Sequence, residues 1–218
     1  MKNVLIDIMG TMVHTDLIKT LDVCFRQNGE EYIKDKEIKL VNKLKKELKT
    51  DDNKEIVTYI ADQVASRNLN PNYIALMGEV NDQLYHDKTI VAPTFDDVKP
   101  NLENWKKQGA GLYVFSNGSA EEQQTILSHT KHGNLVKLFN DFYGTNDVGN
   151  KYAADNYKKI ADRIHAAPSE IKFLSDVLKE LDAADKAGMG VELIVRPGNK
   201  PVQANNYTPK TSFYDVKI

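Results

Sequence analysis

An aspartate at the end of a short apolar segment is the first residue of the chain whose type and position could do chemistry. Asp7 follows the apolar run 4–6 and precedes Gly10 and Thr11. This run is too short to cross a membrane and too apolar for a solvated loop, so it predicts a buried strand. A carboxylate at the end of such a strand needs a metal, a cation or hydrogen-bond donors, because an unpaired buried charge is costly. Asp7 is therefore a candidate site residue, and the alternative is that it only opens a turn toward Gly10.

Polar residues also follow later strands of the predicted sheet. Ser116 and Asn117 follow the strand 111–115, Lys151 stands in a loop before a helix, and Asp176 comes just after the strand 171–174. In an open parallel sheet all of these strand ends meet at one edge. The alternatives are that Ser116, Asn117 or Asp176 only caps a helix, and that Lys151 is a surface lysine.

A phosphate ester is the substrate that gives each of these residues a reason to be there. Asp7 can attack phosphorus and form an aspartyl-phosphate, which divides one difficult displacement into two easier ones. Lys151 can neutralise charge on the nucleophile and on the transferred group. Hydroxyl and backbone N–H groups can hold the phosphate oxygens, and glycine permits their close approach. The predicted substrate-binding residues are Thr11, Ser116, Asn117 and Gly118.

Carboxylates near these strand ends predict a magnesium site. Mg²⁺ prefers hard oxygen ligands and keeps several waters, so two carboxylates and a carbonyl leave room for a phosphate oxygen. The predicted metal residues are Asp7, the backbone carbonyl of Met9, Asp176, and Glu180 one helical turn further on.

Two patterns of periodicity predict the elements that position these residues. Apolar residues recur at three- and four-residue steps in the segments 16–28, 36–48, 53–67 and 72–85, which predicts an all-helical insertion. From residue 93 helices and strands alternate, which predicts a parallel sheet covered by helices on both faces. The expected fold is α/β, a Rossmann-like doubly wound parallel sheet formed by residues 1–14 and 93–218, with a helical cap subdomain at 15–92.

Composition excludes several classes of partner. The formal net charge of −2 does not indicate a basic surface for nucleic acid. The sequence contains no apolar stretch of 18 residues, so we predict no membrane span. The single cysteine, Cys24, cannot form an internal disulfide. We expect a cytoplasmic monomer or small homo-oligomer whose partner is a small phosphorylated metabolite.

The order of the motifs, an aspartate before Gly-Thr, a serine strand end, a lysine and then Ser-Asp, resembles the haloacid dehalogenase (HAD) superfamily. Longer segments sharpen the likeness, and they are 93–109, 118–119, 149–151, 156–161, 173–177, 180–184 and 195–199. Together these segments resemble the enolase-phosphatase (acireductone synthase) family. The likeness covers the sheet domain and is weaker through the helical insertion.

This resemblance implies a magnesium-dependent enzyme of methionine salvage. Such enzymes enolise a phosphorylated diketone that bears a methylthio group and then remove its phosphate. Carried over by position, Asp7 is the nucleophile and a metal ligand, Asp176 is the second carboxylate ligand, and Lys151 is the charge clamp. Ser116 and Asn117 would hold the phosphate.

The chain departs from the family pattern at Met9, where the family has a glutamate and most phosphatases of the superfamily an aspartate. A thioether cannot transfer a proton, and loss of a general acid–base typically costs about 10²–10⁴ in rate. Phosphate transfer is thus called into question, whereas metal and phosphate binding are not.

Two alternatives follow from this departure. Ser116-Asn117-Gly118 also resembles the corresponding segment of 2-haloacid dehalogenases, which lack an acid at the Met9 position. A dehalogenase would need a halide-binding arginine, for which Arg26 is the early candidate, but would not need Asp176. The other alternative is a catalytically weakened protein that binds a phosphorylated ligand or a protein partner.

Overall fold

The structure is a computed structural model that describes residues 2–34, 36–66, 68, 70–202 and 206–218. The chain forms two compact units. The first, here called the sheet unit, runs to Thr15 and resumes at Ala92, and the second, the helical unit, comprises Asp16–Val91. That the helical unit acts as a cap stays a prediction.

Along the chain, one strand is followed by a run of helices, and helices and strands then alternate. They are β1 (Asn3–Ile6), α1 (Asp16–Ile33), α2 (Lys39–Leu48), α3 (Asn53–Ala65), α4 (Pro71–His86), α5 (Val98–Lys107), β2 (Gly111–Ser116), α6 (Ala120–Ser128), β3 (Asp141–Gly144), α7 (Thr145–Val148), α8 (Ala154–Arg163), β4 (Ile171–Ser175), α9 (Leu178–Lys186) and β5 (Gly190–Leu193).

The five strands form one parallel sheet in the order β3-β2-β1-β4-β5. β1 is central, and its residues Val4, Leu5 and Ile6 are fully buried because helices cover both faces of the sheet. The chain leaves β1 toward β2 on one side and later returns on the other side to β4, so the strand order reverses beside β1. Such a switch point at the carboxyl edge is where open α/β sheets bind ligands. The predicted α/β fold is confirmed.

The helical unit has its own buried apolar face. α1 packs against α3 and α4, and the residues they bury include Phe25, Ile56, Ile60, Leu76 and Val80. Side chains at helix starts satisfy free N–H groups, since Asp52 accepts a hydrogen bond from Lys54 N and Asn70 from Asn72 N. Across the described part of the chain, no helix is long and apolar enough to cross a membrane.

Several helix ends differ from the predicted ones. α2 begins at Lys39, after an extended Ile38, and not at residue 36. α3 ends at Ala65, and the predicted end, Arg67, lies outside the described residues. α5 begins at Val98 and not at residue 95, because a turn closes at its start through the bond from Val98 N to Phe95 O.

A buried glutamine fixes α6 against the carboxyl ends of β2 and β3. The Gln123 side chain is 1% exposed, and its Nε2 donates to the carbonyl oxygens of Gly118 and Tyr143, each at 2.9 Å. These carbonyls belong to the loop after β2 and to β3. One amide group therefore holds together two segments that lie at the carboxyl edge of the sheet.

Replacing this glutamine should loosen that edge. Gln123→Met leaves the Gly118 and Tyr143 carbonyls without this donor, and we expect the free energy of unfolding to fall by about 1–3 kcal/mol. The matched control is Gln124→Met at the exposed neighbouring position of the same helix, for which a change within about 0.5 kcal/mol is expected. Urea unfolding of both variants checks this, and equal losses would contradict the role given to Gln123.

Candidate active site

Asp7 lies directly after β1 and is held by its neighbours. Its backbone N–H donates to Leu174 O at 3.0 Å, so the residue stays in register with β4 beyond the end of the strand. Asp7 is 5% exposed, and its Oδ2 accepts a hydrogen bond from Thr11 Oγ1 at 3.3 Å. Thr11 itself is fully buried, and the described contact of its hydroxyl is with Asp7. Its predicted role in binding substrate stays a prediction.

Lys151 is the buried cation of the site. It is 2% exposed, and its Nζ lies 2.5 Å from Asp7 Oδ1 and 2.6 Å from Glu180 Oε2. The rings of Phe115 and Phe173 lie with their centroids 5.7 Å from the same nitrogen. Burial lowers the pKa of this amine, but the attraction of Asp7 and Glu180 outweighs burial, and its pKa is raised. The alternative that Lys151 is a surface lysine is wrong.

The loop that carries Lys151 is shaped by the helix that follows it. Gly149 has a φ of 105°, and a Cβ there would lie 2.5 Å from Asn156 Nδ2, so glycine is required by both conformation and space. Asn156 Nδ2 donates to the Asn150 carbonyl at 2.7 Å. The Tyr157 hydroxyl donates to the Lys151 carbonyl at 2.9 Å. α8 thereby places the lysine and keeps it oriented toward β1.

Glu180, on the first turn of α9, completes the charge cluster. Its Oε2 accepts a hydrogen bond from Ser175 Oγ at 2.8 Å in addition to the contact with Lys151, and the residue is 2% exposed. Burial first, and then the negative charge of Asp7, raise the pKa of this carboxyl group. Its predicted place in the metal site stays a prediction, because the described contacts of the carboxylate are with Lys151 and Ser175.

Asp176 follows β4 and packs against the loop after β1. A Cβ on Gly10, whose φ is 80°, would lie 2.4 Å from Asp176 Oδ2, so only glycine lets the carboxylate approach this closely. Burial, followed by the charges of Asp7 and Glu180, raises the pKa of Asp176 to about 7. Its Oδ1 is buried and has no hydrogen-bond partner among the described residues. The alternative of a helix cap is wrong, since the cap position of α9 is Val177, whose N–H donates to Ser175 Oγ.

The loop after β2 offers polar groups one strand away from Asp7. Ser116 ends β2 and is 7% exposed, while Asn117 is exposed and its carbonyl accepts a hydrogen bond from Thr145 Oγ1 at 2.8 Å. The cap of α6 is Ser119, which exchanges hydrogen bonds with Glu122. The alternative that Ser116 or Asn117 caps the helix is therefore wrong. Gly118, between them and the cap, keeps its predicted role in binding substrate as a prediction.

The donors present fit a magnesium ion held by few side chains. In the described part of the chain, no three His, Cys, Asp or Glu side chains cluster as a metal cage would require. Mg²⁺ needs no such cage, because it binds through one or two carboxylates and retains water. Asp176 offers a buried oxygen that no described residue satisfies, and Asp7 lies close enough to raise the pKa of Asp176. The backbone carbonyl of Met9, whose side chain is half-buried, is the third predicted oxygen.

Three residues that shape the site were given no specific contact from the sequence. Ser175, Tyr157 and Asn199 make the contacts that orient Glu180, the Lys151 loop and the Gly10 carbonyl, the last at 2.9 Å from Asn199 Nδ2. The segment 195–199 carried part of the family resemblance, which was a signal for Asn199. Ser175 belongs to the Ser-Asp motif and Tyr157 to the segment 156–161, so the sequence drew attention to both, but their contacts are recognised only once α8 and α9 are placed.

Removing the buried cation should be costly. Lys151→Met leaves the carboxylates of Asp7 and Glu180 buried beside each other, and we expect the free energy of unfolding to fall by about 3–5 kcal/mol at pH 7.5. Lys158→Met is the control, because its side chain is 54% exposed and pairs only with an exposed Asp155 among its described contacts. Thermal and urea unfolding would measure both, and a Lys151→Met variant as stable as the control would show that the cluster does not need its cation.

Comparison with known proteins supports the resemblance noted in the motifs. A family model described as haloacid dehalogenase-like hydrolase matches residues 1–188. Enolase-phosphatase E1 of Danio rerio is 30% identical over 199 residues, which cover 88% of this chain and 76% of the fish protein. Enolase-phosphatase E1 of Xenopus tropicalis is 35% identical over 144 residues, which cover 65% of this chain. The chain spans 55% of the length of that frog protein.

A solved structure shows the same architecture. The UTR4 (Unknown transcript 4) protein of Saccharomyces cerevisiae superimposes with a TM-score of 0.84 at 26% identity, and 99% of each chain is covered. The family match runs through β1, the lysine loop and the start of α9, and so includes Asp7, Lys151, Asp176 and Glu180. On these grounds the chain belongs to the haloacid dehalogenase-like hydrolases, and it resembles the enolase-phosphatases among them.

Proposed function

We propose that this chain is a magnesium-dependent phosphohydrolase of enolase-phosphatase type, acting on a small phosphorylated diketone of methionine salvage. The observation that carries the proposal is the buried Lys151 ammonium between Asp7 and Glu180, at the sheet edge where Asp176 has a buried oxygen without a partner among the described residues. Phosphoryl transfer requires a nucleophile, a cation fixed beside it and an oxygen ligand for a metal ion, and Asp7, Lys151 and Asp176 would fill these roles. The relatives named enolase-phosphatase E1 support a phosphatase acting on a small substrate, and the diketone of methionine salvage is taken from the family resemblance of the motifs.

The contacts of Asp7 suit attack on phosphorus. Lys151 holds Oδ1 at 2.5 Å, whereas Oδ2 accepts the longer bond from Thr11 at 3.3 Å and is the oxygen better able to attack. The new bond joins Oδ2 to phosphorus as the ester P–O bond breaks, and Ser116 with the following N–H groups holds the phosphate oxygens. Water then cleaves the aspartyl-phosphate, which returns the Asp7 carboxylate and releases inorganic phosphate. Lys151 balances negative charge throughout.

Magnesium would be held by Asp7, Asp176 and the Met9 carbonyl. When bound there, it would offset the charge of the carboxylates and of the arriving phosphate.

Position 9 sets the rate that we expect. The leaving oxygen needs a proton, and the thioether of Met9 cannot supply one. Proton transfer must then come from water or from the substrate, which makes turnover slow while substrate binding is retained.

The contacts of Arg26 do not favour the dehalogenase alternative. Arg26 is ion-paired within the helical unit, with Nε 2.9 Å from Asp22 Oδ2 and Nη2 2.9 Å from Asp62 Oδ1. A guanidinium engaged by two carboxylates is poorly suited to receive a halide. Asp176, which metal-free dehalogenation would not need, also favours the phosphohydrolase.

We further propose that the enzyme works in the cytoplasm, which suits a chain whose lone Cys24 is a free thiol. A monomer or small homo-oligomer stays the prediction for its assembly.

The decisive experiment restores the missing acid. Phosphate release from a panel of phosphomonoesters, including the methylthio-diketone phosphate, would be measured with and without Mg²⁺ for the native chain and Met9→Glu. We expect slow magnesium-dependent release by the native chain and a rise of about 10²–10⁴ in kcat for Met9→Glu. Asp7→Asn in the Met9→Glu background is the control and should abolish release. No release by either protein would contradict the proposed function, and equal rates would show that another group supplies the proton.

The metal ligand Asp176 gives a prediction that needs no turnover. Its folded pKa of about 7 exceeds the unfolded value of about 4, so its contribution to stability is present below pH 4 and is lost as the pH rises through 7. Asp176→Asn should therefore raise the free energy of unfolding of metal-free protein at pH 8 by about 1–3 kcal/mol, with little change at pH 4. Mg²⁺ should stabilise the native chain and not the variant.

The control for this measurement is Asp155→Asn, whose side chain is 83% exposed. It should change stability little at either pH and leave the response to Mg²⁺ intact. Thermal unfolding with chelator or Mg²⁺ measures all three proteins. A loss of stability in Asp176→Asn at pH 8 would show that the carboxylate is compensated within the protein.

A further inference from the structure

The segment after β5 turns back to the loop that carries Gly10 and Thr11. Ile194 N donates to Ser175 O at 2.9 Å and continues the sheet pairing past the end of β5. The chain then turns, with Asn199 N donating to Arg196 O at 3.1 Å. This segment, residues 194–199, contributes nothing to the mechanism proposed above, although it lies beside the carboxyl edge of the sheet.

Arg196 anchors this segment in the sheet unit. The residue is 5% exposed, and its guanidinium lies between the rings of Phe95 and Phe213, 4.6 and 4.8 Å from their centroids. Its Nη1 donates to Asp97 Oδ2 and to Thr211 O at 2.8 and 2.9 Å. Burial raises the pKa of Asp97, but Arg196 and the N–H of Phe213 outweigh burial, and the pKa is lowered. The pair is thus charged.

The same segment holds two consecutive carbonyls of the loop after Asp7. Arg196 Nε donates to Thr11 O at 3.2 Å, and Asn199 Nδ2 donates to Gly10 O at 2.9 Å. A carbonyl can only be met by a donor, so the NH₂ of Asn199 must face Gly10 and its Oδ1 must face away from that carbonyl. The orientation of this amide is therefore fixed by chemistry.

Two buried acceptors meet beside Gly10. The position that a Cβ on Gly10 would occupy lies 2.4 Å from Asp176 Oδ2 and 3.1 Å from Asn199 Oδ1. Both Asn199 Oδ1 and Asp176 Oδ1 are buried without a hydrogen-bond partner among the described residues. The Asp176 carboxylate and the Asn199 amide oxygen thus lie beside the same glycine, and each of the two side chains has one buried oxygen, Oδ1, that no described residue satisfies. Because buried oxygens are normally satisfied, this arrangement indicates a cation or its hydration shell.

We propose that Asn199 is a positioning residue of the magnesium site, which fixes the Gly10 carbonyl through its amide and offers Oδ1 to the hydrated cation that Asp176 binds. This inference rests on the proposed function, because it requires a magnesium ion at Asp176. It deepens that proposal by making the segment after β5 part of the site. Neutral oxygens around a bound metal commonly matter for affinity, and their loss costs about 10–100-fold.

The test measures Mg²⁺ binding itself by isothermal titration of the chelator-treated full chain with magnesium chloride. Asn199→Ala removes both polar atoms, and we expect the Kd for Mg²⁺ to rise about 10–100-fold. Asn199→Asp loses the NH₂ that donates to Gly10 O but keeps an oxygen and adds a negative charge beside the cation. Because this charge attracts Mg²⁺ directly, the Kd of the variant should fall below the native value. The opposite signs distinguish a residue that faces the ion from one that only supports the loop. Asn146→Ala, at an exposed position of α7, is the matched control and should leave the Kd unchanged.

Asp176→Asn in the same titration separates the two proposals. If this variant loses Mg²⁺ binding while neither Asn199 variant changes the Kd, or while both raise it, the inference is overturned and the magnesium site stands. If the native chain does not bind Mg²⁺, or Asp176→Asn binds it as well as the native chain, the magnesium dependence fails and the inference fails with it. Should Asn199→Ala not fold in circular dichroism, the direction of the change in Asn199→Asp decides.

Discussion

The ion cluster around Lys151 is the constraint on which the remainder of the site depends. Two carboxylates, those of Asp7 and Glu180, share one ammonium group that is almost fully buried. Taking these charges out of water costs several kcal/mol each, and the geometry has to return that cost through short contacts. Phe115 and Phe173 exclude water around the amine, Tyr157 fixes its backbone, and Ser175 meets an oxygen of Glu180. The polar cluster is thereby built into the hydrophobic core of the sheet unit.

The Asp176 carboxylate is not paired with Lys151, which contacts Asp7 and Glu180. One cation serves three acidic groups at the edge of the sheet, and Asp176 carries the unmatched charge, which its raised pKa reflects. A site with excess negative charge attracts a divalent ion and the phosphate that comes with it. Under the proposed function this pattern would separate two tasks, since Lys151 would serve the nucleophile Asp7 and Asp176 would be left for an added ion. Met9 would contribute to the metal site only through its backbone carbonyl, so the absence of an acid–base side chain at this position would leave both proposed tasks intact.

The sequence allowed prediction of what depends on local pattern and strand order. Alternating periodicity was enough for the parallel sheet, and the polar residues after its strands indicated Asp7, Lys151 and Asp176. The start of α5 could not be predicted, because Asp97 is drawn into contacts with Arg196, Ser212 and Phe213 from the far end of the chain. The pairing of Glu180 with Lys151, and the burial of that lysine, depend on how α8 and α9 pack. Neither the pairing nor the burial can be predicted from the spacing of residues in a motif.

The central place of β1 also affects how the chain is made. β1 is synthesised first, yet its sheet partners begin at Gly111 and Ile171. At about 5–20 residues per second, the apolar residues 4–6 have no strand to pair with for roughly five seconds or more after they are made. During that time residues 16–91 of the helical unit, which lie between β1 and β2 in the sequence, are made. The nascent chain thus carries an unpaired apolar strand, and Asp7 meets Lys151 and its other partner Glu180 only after residues 151–180 have emerged.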